Sequence, residues 1–220
     1  MTLFSEASWG PAPRRSVVAG RDPAVLGEFL RPEVGLLLWA RPLPAGLRRG
    51  MREIRRPGAS LEAEGTPMAL LESLLAQGAT QGWPLTEAWL GELGGLALLL
   101  AGLGNAPRLR ARLQAPAAEP APGFRDSGPG LTLLCTYRGP ATQWLAPGHD
   151  PPAAIRQAPT GSVLLLRGAW KLRPPPAPAL VALQDVAGEE RGGEEVVDGN
   201  VEEALDLPGM QVQRQHAVGA

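Results

Sequence analysis

The sequence predicts an α+β fold, with a helical N-terminal part packed on a β-rich C-terminal half. Three observations carry this. Apolar residues recur at helical spacing up to about residue 105. Beyond that point, short apolar or alternating segments recur between Gly/Pro turns. Finally, 44 % of residues are apolar and six are Trp, enough for a core even with 28 Gly and 24 Pro in 220 residues. The Gly and Pro residues gather in the first 20 residues, in 115–130, in 146–160, in 174–178 and in the tail, so they punctuate a folded body. The resulting plan is a flexible arm over 1–20, a single α+β domain over 21–186 (21–105 mainly helical, 106–186 mainly β), and a disordered acidic tail over 187–220.

Asp22-Pro23 is a helix start, Asp as N-cap with Pro in the first turn, followed by Val25, Leu26, Phe29 and Leu30 at helical spacing and closed by Pro32. Val34 to Trp39 is an apolar run of strand length between Pro32 and Pro42. Residues 42–105 read as helical. One helix opens at Pro67 and ends near Gly78, and a second opens at Thr86-Glu87 and stops at Gly102-Leu-Gly-Asn105. Arg108 to Leu113 then alternates with period two, the mark of a half-buried strand. Strand segments follow at Leu131–Tyr137, Ala141–Leu145, Ser162–Arg167 and Leu180–Asp185, with a turn at Arg138-Gly139-Pro140. Several short strands between turns point to a sandwich or jelly roll.

The formal net charge of -1 conceals an asymmetry: residues 1–184 carry 19 basic and 13 acidic side chains, while 185–207 carry nine acids and one base. The arginines are scattered and lack interleaved aromatic platforms, so nucleic-acid binding is not expected. A membrane span needs about 20 largely apolar residues, and Leu93 to Gly104 supplies twelve. No membrane association is expected either. The N-terminal residues lack a basic stretch followed by an apolar core, and Cys135 is the only cysteine, so a reducing, cytoplasmic setting is expected.

Chemistry-bearing residues are few. Histidine occurs only at His149, in the loop Pro147-Gly-His-Asp-Pro-Pro152, and at His216 in the tail, so a Ser or Cys nucleophile has no evident base. Cys135 reads as a small buried strand residue. Asp126, Asp150 and Asp185 show no spacing that singles out a carboxylate pair, and no nucleotide-binding glycine motif occurs. Arg108, Arg110 and Arg112 share one strand face, read as solvated, with an anion-binding surface as the alternative.

The segment LTLLCTYRGPATQW, Leu131 to Trp144, is distinctive. Together with Gly161–Trp170, the closing Leu180–Asp185 strand, Trp39-x-Arg41 and the Arg110-x-Arg112 strand, it resembles the uncharacterised bacterial family known as domain of unknown function 1826, over roughly residues 20–186. The resemblance implies a β-half like the double-stranded β-helix of cupins and iron/2-oxoglutarate oxygenases. It also implies a Phe-His-x-Asp segment twelve residues before the Thr-Tyr pair and a second His ahead of a later Pro, which would form a two-His, one-carboxylate metal site.

This chain departs from that pattern at every ligand. Phe124 is in place, but Arg125 stands at the first His position and Ser127 at the Asp position, with Asp126 displaced by one. Leu172, in Leu172-Arg173-Pro174, stands where the second His would be. The expectation is therefore a metal-free β-scaffold with no cofactor, binding an anionic small molecule or a protein partner. Arg125, Asp126, Tyr137, Arg138 and Arg173 are the candidate ligand-binding residues. The resemblance also implies an accessory role linked to zinc or metal homeostasis. The alternative is an iron/2-oxoglutarate-dependent enzyme with atypical ligands such as Asp126 and His149.

Overall fold

The computed structural model describes residues 16–50, 59–83, 85–115, 123–145, 155–173 and 179–186. The expected tail, His149, Asp150 and His216 lie outside them. In chain order the strands are β1 (Ser16–Gly20), β2 (Val34–Trp39), β3 (Ser60–Gly65), β4 (Leu109–Gln114), β5 (Arg125–Asp126), β6 (Leu131–Arg138), β7 (Gln143–Leu145), β8 (Ile155–Gln157), β9 (Val163–Arg167), β10 (Lys171–Arg173) and β11 (Ala179–Asp185). A 3-10 helix spans Pro23–Leu30, and the α-helices are α1 (Ala45–Gly50), α2 (Pro67–Gln81) and α3 (Glu87–Gly104).

These strands build a seven-stranded sheet, ordered β1-β2-β9-β6-β11-β4-β3, and a four-stranded sheet, ordered β5-β10-β7-β8. From β4 onward the chain passes from one sheet to the other and back. The two sheets hold β9-β6-β11-β4 and β5-β10-β7-β8, which is the eight-stranded jelly roll. The fold is α+β as the sequence predicts, and the β-half is of the cupin-like, double-stranded β-helix kind.

The 21–105 segment is less helical than the sequence suggests. The end of the expected arm, Ser16–Gly20, is a strand paired in parallel with β2. Ser60–Gly65, read as part of a helical region, pairs antiparallel with β4. Both lengthen the large sheet at its edges, so the sheet draws on both halves of the chain. The connections after β4 and β7 likewise contain short strands, β5 and β8, too brief to give a periodic signal. Asp22 caps the 3-10 helix, its carboxylate accepting from the Ala24 amide at 2.8 Å. The α2 helix runs past Gly78 and stops at Gly82, which takes the left-handed conformation at φ 67°.

Each face of the large sheet has its own apolar core, and the face away from the helices also carries Glu62, Arg110, Arg112, Thr132 and Gln184. On one side α2 and α3 lay Leu70, Leu74, Trp89, Leu93, Leu96 and Leu100 against Leu109, Leu133, Leu165 and Leu183. On the other, Leu36, Leu134, Leu164 and Leu166 meet Trp144, Trp170 and Leu172 of the small sheet and its flanks. Period-two alternation along β6 therefore sends Leu133, Cys135 and Tyr137 toward the helices and Leu134 toward the small sheet. Among the described residues, α3 is the one helix long and apolar enough to cross a membrane. Here its buried stripe covers the sheet.

Candidate functional site

Between the two sheets lies a cavity of about 380 Å³. The large sheet contributes Glu62, Arg110, Arg112, Gln114, Thr132, Leu134, Ala182 and Gln184, and the small-sheet side contributes Arg125, Asp126, Ser127, Thr142 and Leu172. Alternation selects these residues. Leu109, Ala111 and Leu113 of β4 are buried toward the helices, which turns Arg110 and Arg112 toward the cavity. The arginine face read as solvated is partly so, with Arg110 43 % and Arg112 56 % exposed, and it also forms one wall of this open cavity.

Most charges in that wall are already paired. Register partners across β3 and β4 are oppositely charged, Glu62 with Arg112 and Glu64 with Arg110. The contacts measure 3.2 Å in both pairs. The Asp126 carboxylate accepts from Lys171 Nζ at 2.9 Å. Arg125 is different. It lies in the cavity wall, and among the described residues it has no hydrogen-bond or ion-pair partner. Thr142 is only 3 % exposed, and its Oγ1 has no partner among the described residues.

The three positions that the resemblance assigns to metal ligands converge here. Arg125 is the register partner of Leu172 across β5 and β10, and Ser127 lies two residues along; all three line the cavity. Their chemistry does not fit a metal. Arg125 carries a cation with no lone pair to give, and Leu172 has no donor atom. The Ser127 hydroxyl is committed elsewhere, donating to the Gly168 carbonyl at 3.1 Å and accepting from the Trp170 amide at 3.0 Å. Among the described residues, no group of three His, Cys, Asp or Glu side chains is placed to hold a metal ion.

The five residues singled out from sequence do not form one site. Arg125 and Asp126 share the cavity wall. Arg173 is next to Leu172 in the chain but turns its guanidinium over the Phe124 ring at 4.8 Å and donates Nε to Gln143 Oε1 at 2.9 Å, and it is not among the described residues that line this cavity. Arg138 is exposed at the end of β6.

Tyr137 points the other way, into the helix-side core. There its hydroxyl donates to Glu92 Oε1 at 2.8 Å and its ring meets Trp89 edge-on at 4.8 Å. Glu92 also accepts from both terminal nitrogens of Arg41, and one of these lies 3.9 Å from Cys135 Sγ. Burial opposes the Arg41 charge, but the neighbouring Glu92 carboxylate outweighs it and holds Arg41 above its usual pKa. Burial pushes the Cys135 thiol up to about 11, against the pull of Arg41. It also raises Tyr137 well above the usual phenol value, with Cys135 and Glu92 adding to the shift.

Sequence reasoning missed Glu92, an acid set among the apolar residues of α3 one turn and more past Glu87, and Arg41, quoted only as part of a motif. The sequence assigns Thr142 no role of its own, and its Oγ1, buried without a partner among the described residues, is visible only in three dimensions.

No curated protein matches the chain. Among solved structures, it is similar to the dioxygenase for auxin oxidation 1 of Arabidopsis thaliana in complex with 2-oxoglutarate, at 9 % identity and a TM-score of 0.44, over 77 % of this chain and 91 % of that one. It is also similar to the dioxygenase for auxin oxidation of rice, at 13 % identity and a TM-score of 0.40, over 77 % and 82 %. Likeness at these levels assigns no activity. At the level of sequence, the profile described as "Protein of unknown function (DUF1826)" matches residues 20–179, well over half of the chain, and the protein therefore belongs to the DUF1826 family.

Proposed function

We propose that this protein is a non-catalytic β-scaffold of the cytoplasm whose inter-sheet cavity binds a small anionic molecule without a metal. The observation that carries this reading is Arg125: a guanidinium in the cavity wall with no partner among the described residues, across the ladder from Leu172. An unpaired Arg beside a partly apolar cavity recognises an anion by charge-assisted, often bidentate hydrogen bonds. Leu134, Leu172 and Ala182 supply the apolar surface against which the body of such a ligand packs.

The test has two arms. Metal analysis after anaerobic incubation with Fe(II) and 2-oxoglutarate is expected to find no stoichiometric metal and no succinate. Tight stoichiometric metal with succinate production overturns the reading. In the second arm, NMR titration with carboxylate probes is expected to move cavity resonances in the unaltered protein and to leave them unmoved in Arg125→Gln.

A further inference from the structure

We propose that the outer face of the α2–α3 helix pair is a self-association surface, covered by a second copy of this chain across a two-fold axis beside Leu98.

The face follows from how the two helices pack. They turn Leu70, Leu74, Leu93, Leu96 and Leu100 toward the sheet, and the short connection over residues 82–86 makes them antiparallel neighbours. Leu71 Cδ1 lies 3.2 Å from where a Cβ on Gly94 would stand, which sets the register between them. One turn before Leu71 is Met68, and one turn after Gly94 is Leu98, so these two stand level on adjacent helices. Each is 66 % exposed, and Leu75, one turn after Leu71, is 44 % exposed. The large apolar side chains exposed among the described residues are Val17, Leu30, Met68, Leu75 and Leu98, and three of these five gather here. A scattered apolar residue on a surface needs no account, whereas a contiguous group marks an interaction site.

Charge narrows the occupant. Residues 67–104 contain no Lys or Arg, and their acids are Glu72, Glu87 and the buried Glu92. A helix face that rests on a membrane sets cations beside its apolar residues to meet anionic headgroups, and this face has none. The apolar group carries no charge of its own, so two copies meet there without opposing like charges at the centre.

Shape favours the same occupant. Leu98 has Gly94 and Gly95 one turn before it and Gly102 one turn after it. Gly95 and Gly102 are exposed, and a Cβ on either would meet nothing within 4 Å. A protruding leucine and a hollow therefore lie side by side on one helix. Across a two-fold axis the Leu98 of each copy enters the hollow of the other, and both contacts form together.

Size is sufficient. By helix geometry α3 is about 27 Å long and α2 about 22 Å, and with axes about 9 Å apart their outer face measures roughly 25 Å by 20 Å. Two such faces bury on the order of 1,000 Å², the extent a specific interface needs. The helices lie on the side of the large sheet away from the inter-sheet cavity, so this association leaves the cavity wall untouched.

The experiment is sedimentation equilibrium of the full chain from micromolar to several hundred micromolar, with far-UV circular dichroism of every variant. Reversible growth from one chain of 23.1 kDa to two is expected. Leu98→Glu and Met68→Glu are each expected to weaken association by about tenfold or more. Leu30→Glu, at a side chain 67 % exposed on the 3-10 helix, is expected to leave it unchanged. The unaltered protein gives a reading that no folding defect disturbs: in a mixture of deuterated and ordinary chains, saturation of the ordinary chain is expected to reach the Met68 and Leu98 methyls of the deuterated one. A chain that stays monomeric throughout, association that survives both Leu98→Glu and Met68→Glu, equal weakening by Leu30→Glu, or no transfer to those methyls overturns the proposal. So does binding of the monomer to phosphatidylcholine vesicles that Leu98→Glu abolishes, since a lipid surface is then the occupant.

Discussion

The Tyr137 hydroxyl and the Glu92 carboxylate meet at 2.8 Å on the side of β6 away from the cavity. Arg41, which follows β2, donates to the same carboxylate, so one acid on α3 ties β6 and the segment leaving β2 to the helix layer. The pair is shielded, with side-chain exposures of 13 % for Arg41 and 8 % for Glu92. Glu92→Ala leaves the guanidinium buried and unpaired, and a loss of about 3 kcal/mol is expected. Tyr137→Phe removes one hydrogen bond and is expected to cost about 1–2 kcal/mol. Urea unfolding of both single variants and the double variant checks this. The combined loss is expected to fall short of the sum, because both changes act on one carboxylate.

Cys135 sits in the same cluster and gives a pH signature. Its thiol is raised from 9.0 to about 11 in the fold. Between those values the native state holds a proton that the unfolded chain has lost, so stability falls as pH rises through that window and is unaffected by this group below it. Denaturation midpoints from pH 7 to 11 are expected to decline in the upper part of the range. Thiolate absorbance near 240 nm is expected to rise only there, and only after urea at pH near 9.5. A thiol of the folded protein that titrates at its ordinary value contradicts this.

Two glycines on the helices respond in opposite ways to alanine. A Cβ on Gly78 would meet the Trp83 carbonyl oxygen at 2.7 Å, a backbone atom that cannot step aside. Gly91 is exposed, with nothing within 4 Å of its would-be Cβ. Gly78→Ala is expected to destabilise by about 1–3 kcal/mol despite the better helix propensity of alanine. Gly91→Ala is expected to stabilise by about 0.5–1 kcal/mol. Urea midpoints decide both.

The convergence of Arg125, Ser127 and Leu172 can be tested by installing what they replace. The triple variant Arg125→His, Ser127→Asp, Leu172→His puts two imidazoles and a carboxylate at register partners and an i, i+2 neighbour. It is expected to bind Co(II) stoichiometrically, with visible d–d absorption, whereas the unaltered protein gives none. The substitution at Ser127 also removes an anchor for the Trp170 amide, so about 1–2 kcal/mol of lost stability is expected alongside the metal.

Local signals made part of this structure legible. Asp22-Pro23, Thr86 and the polar–apolar alternation of Arg108–Leu113 each name their element, because a cap or a period is a property of neighbouring residues. What escaped depends on distant partners. Glu62 and Glu64 are good helix formers, and the short alternation that buries Leu61 and Ala63 becomes a strand by pairing with β4, where Arg112 and Arg110 face the two acids. Ser16–Gly20 is a strand because Val34–Trp39 offers it an edge. The cavity was half legible: the count from Thr136 reached Arg125 and Ser127. Nothing along the chain shows that Arg173 turns away toward Phe124, or that Tyr137 and Arg125 lie on opposite sides of the large sheet.

The placement of β11 between β6 and β4 has a consequence for biosynthesis. Every other strand of the large sheet precedes it in the chain, yet β11 is the one that joins β1-β2-β9-β6 to β4-β3. A nascent chain that has emerged only as far as residue 178 carries two separate sheet fragments, and the cavity lacks Ala182 and Gln184. Closure of the large sheet waits for a segment near residue 180 to insert between two strands already made. These long-range pairings place the protein among the slower folders, and the unpaired edges of β6 and β4 are its aggregation hazard until synthesis passes Asp185.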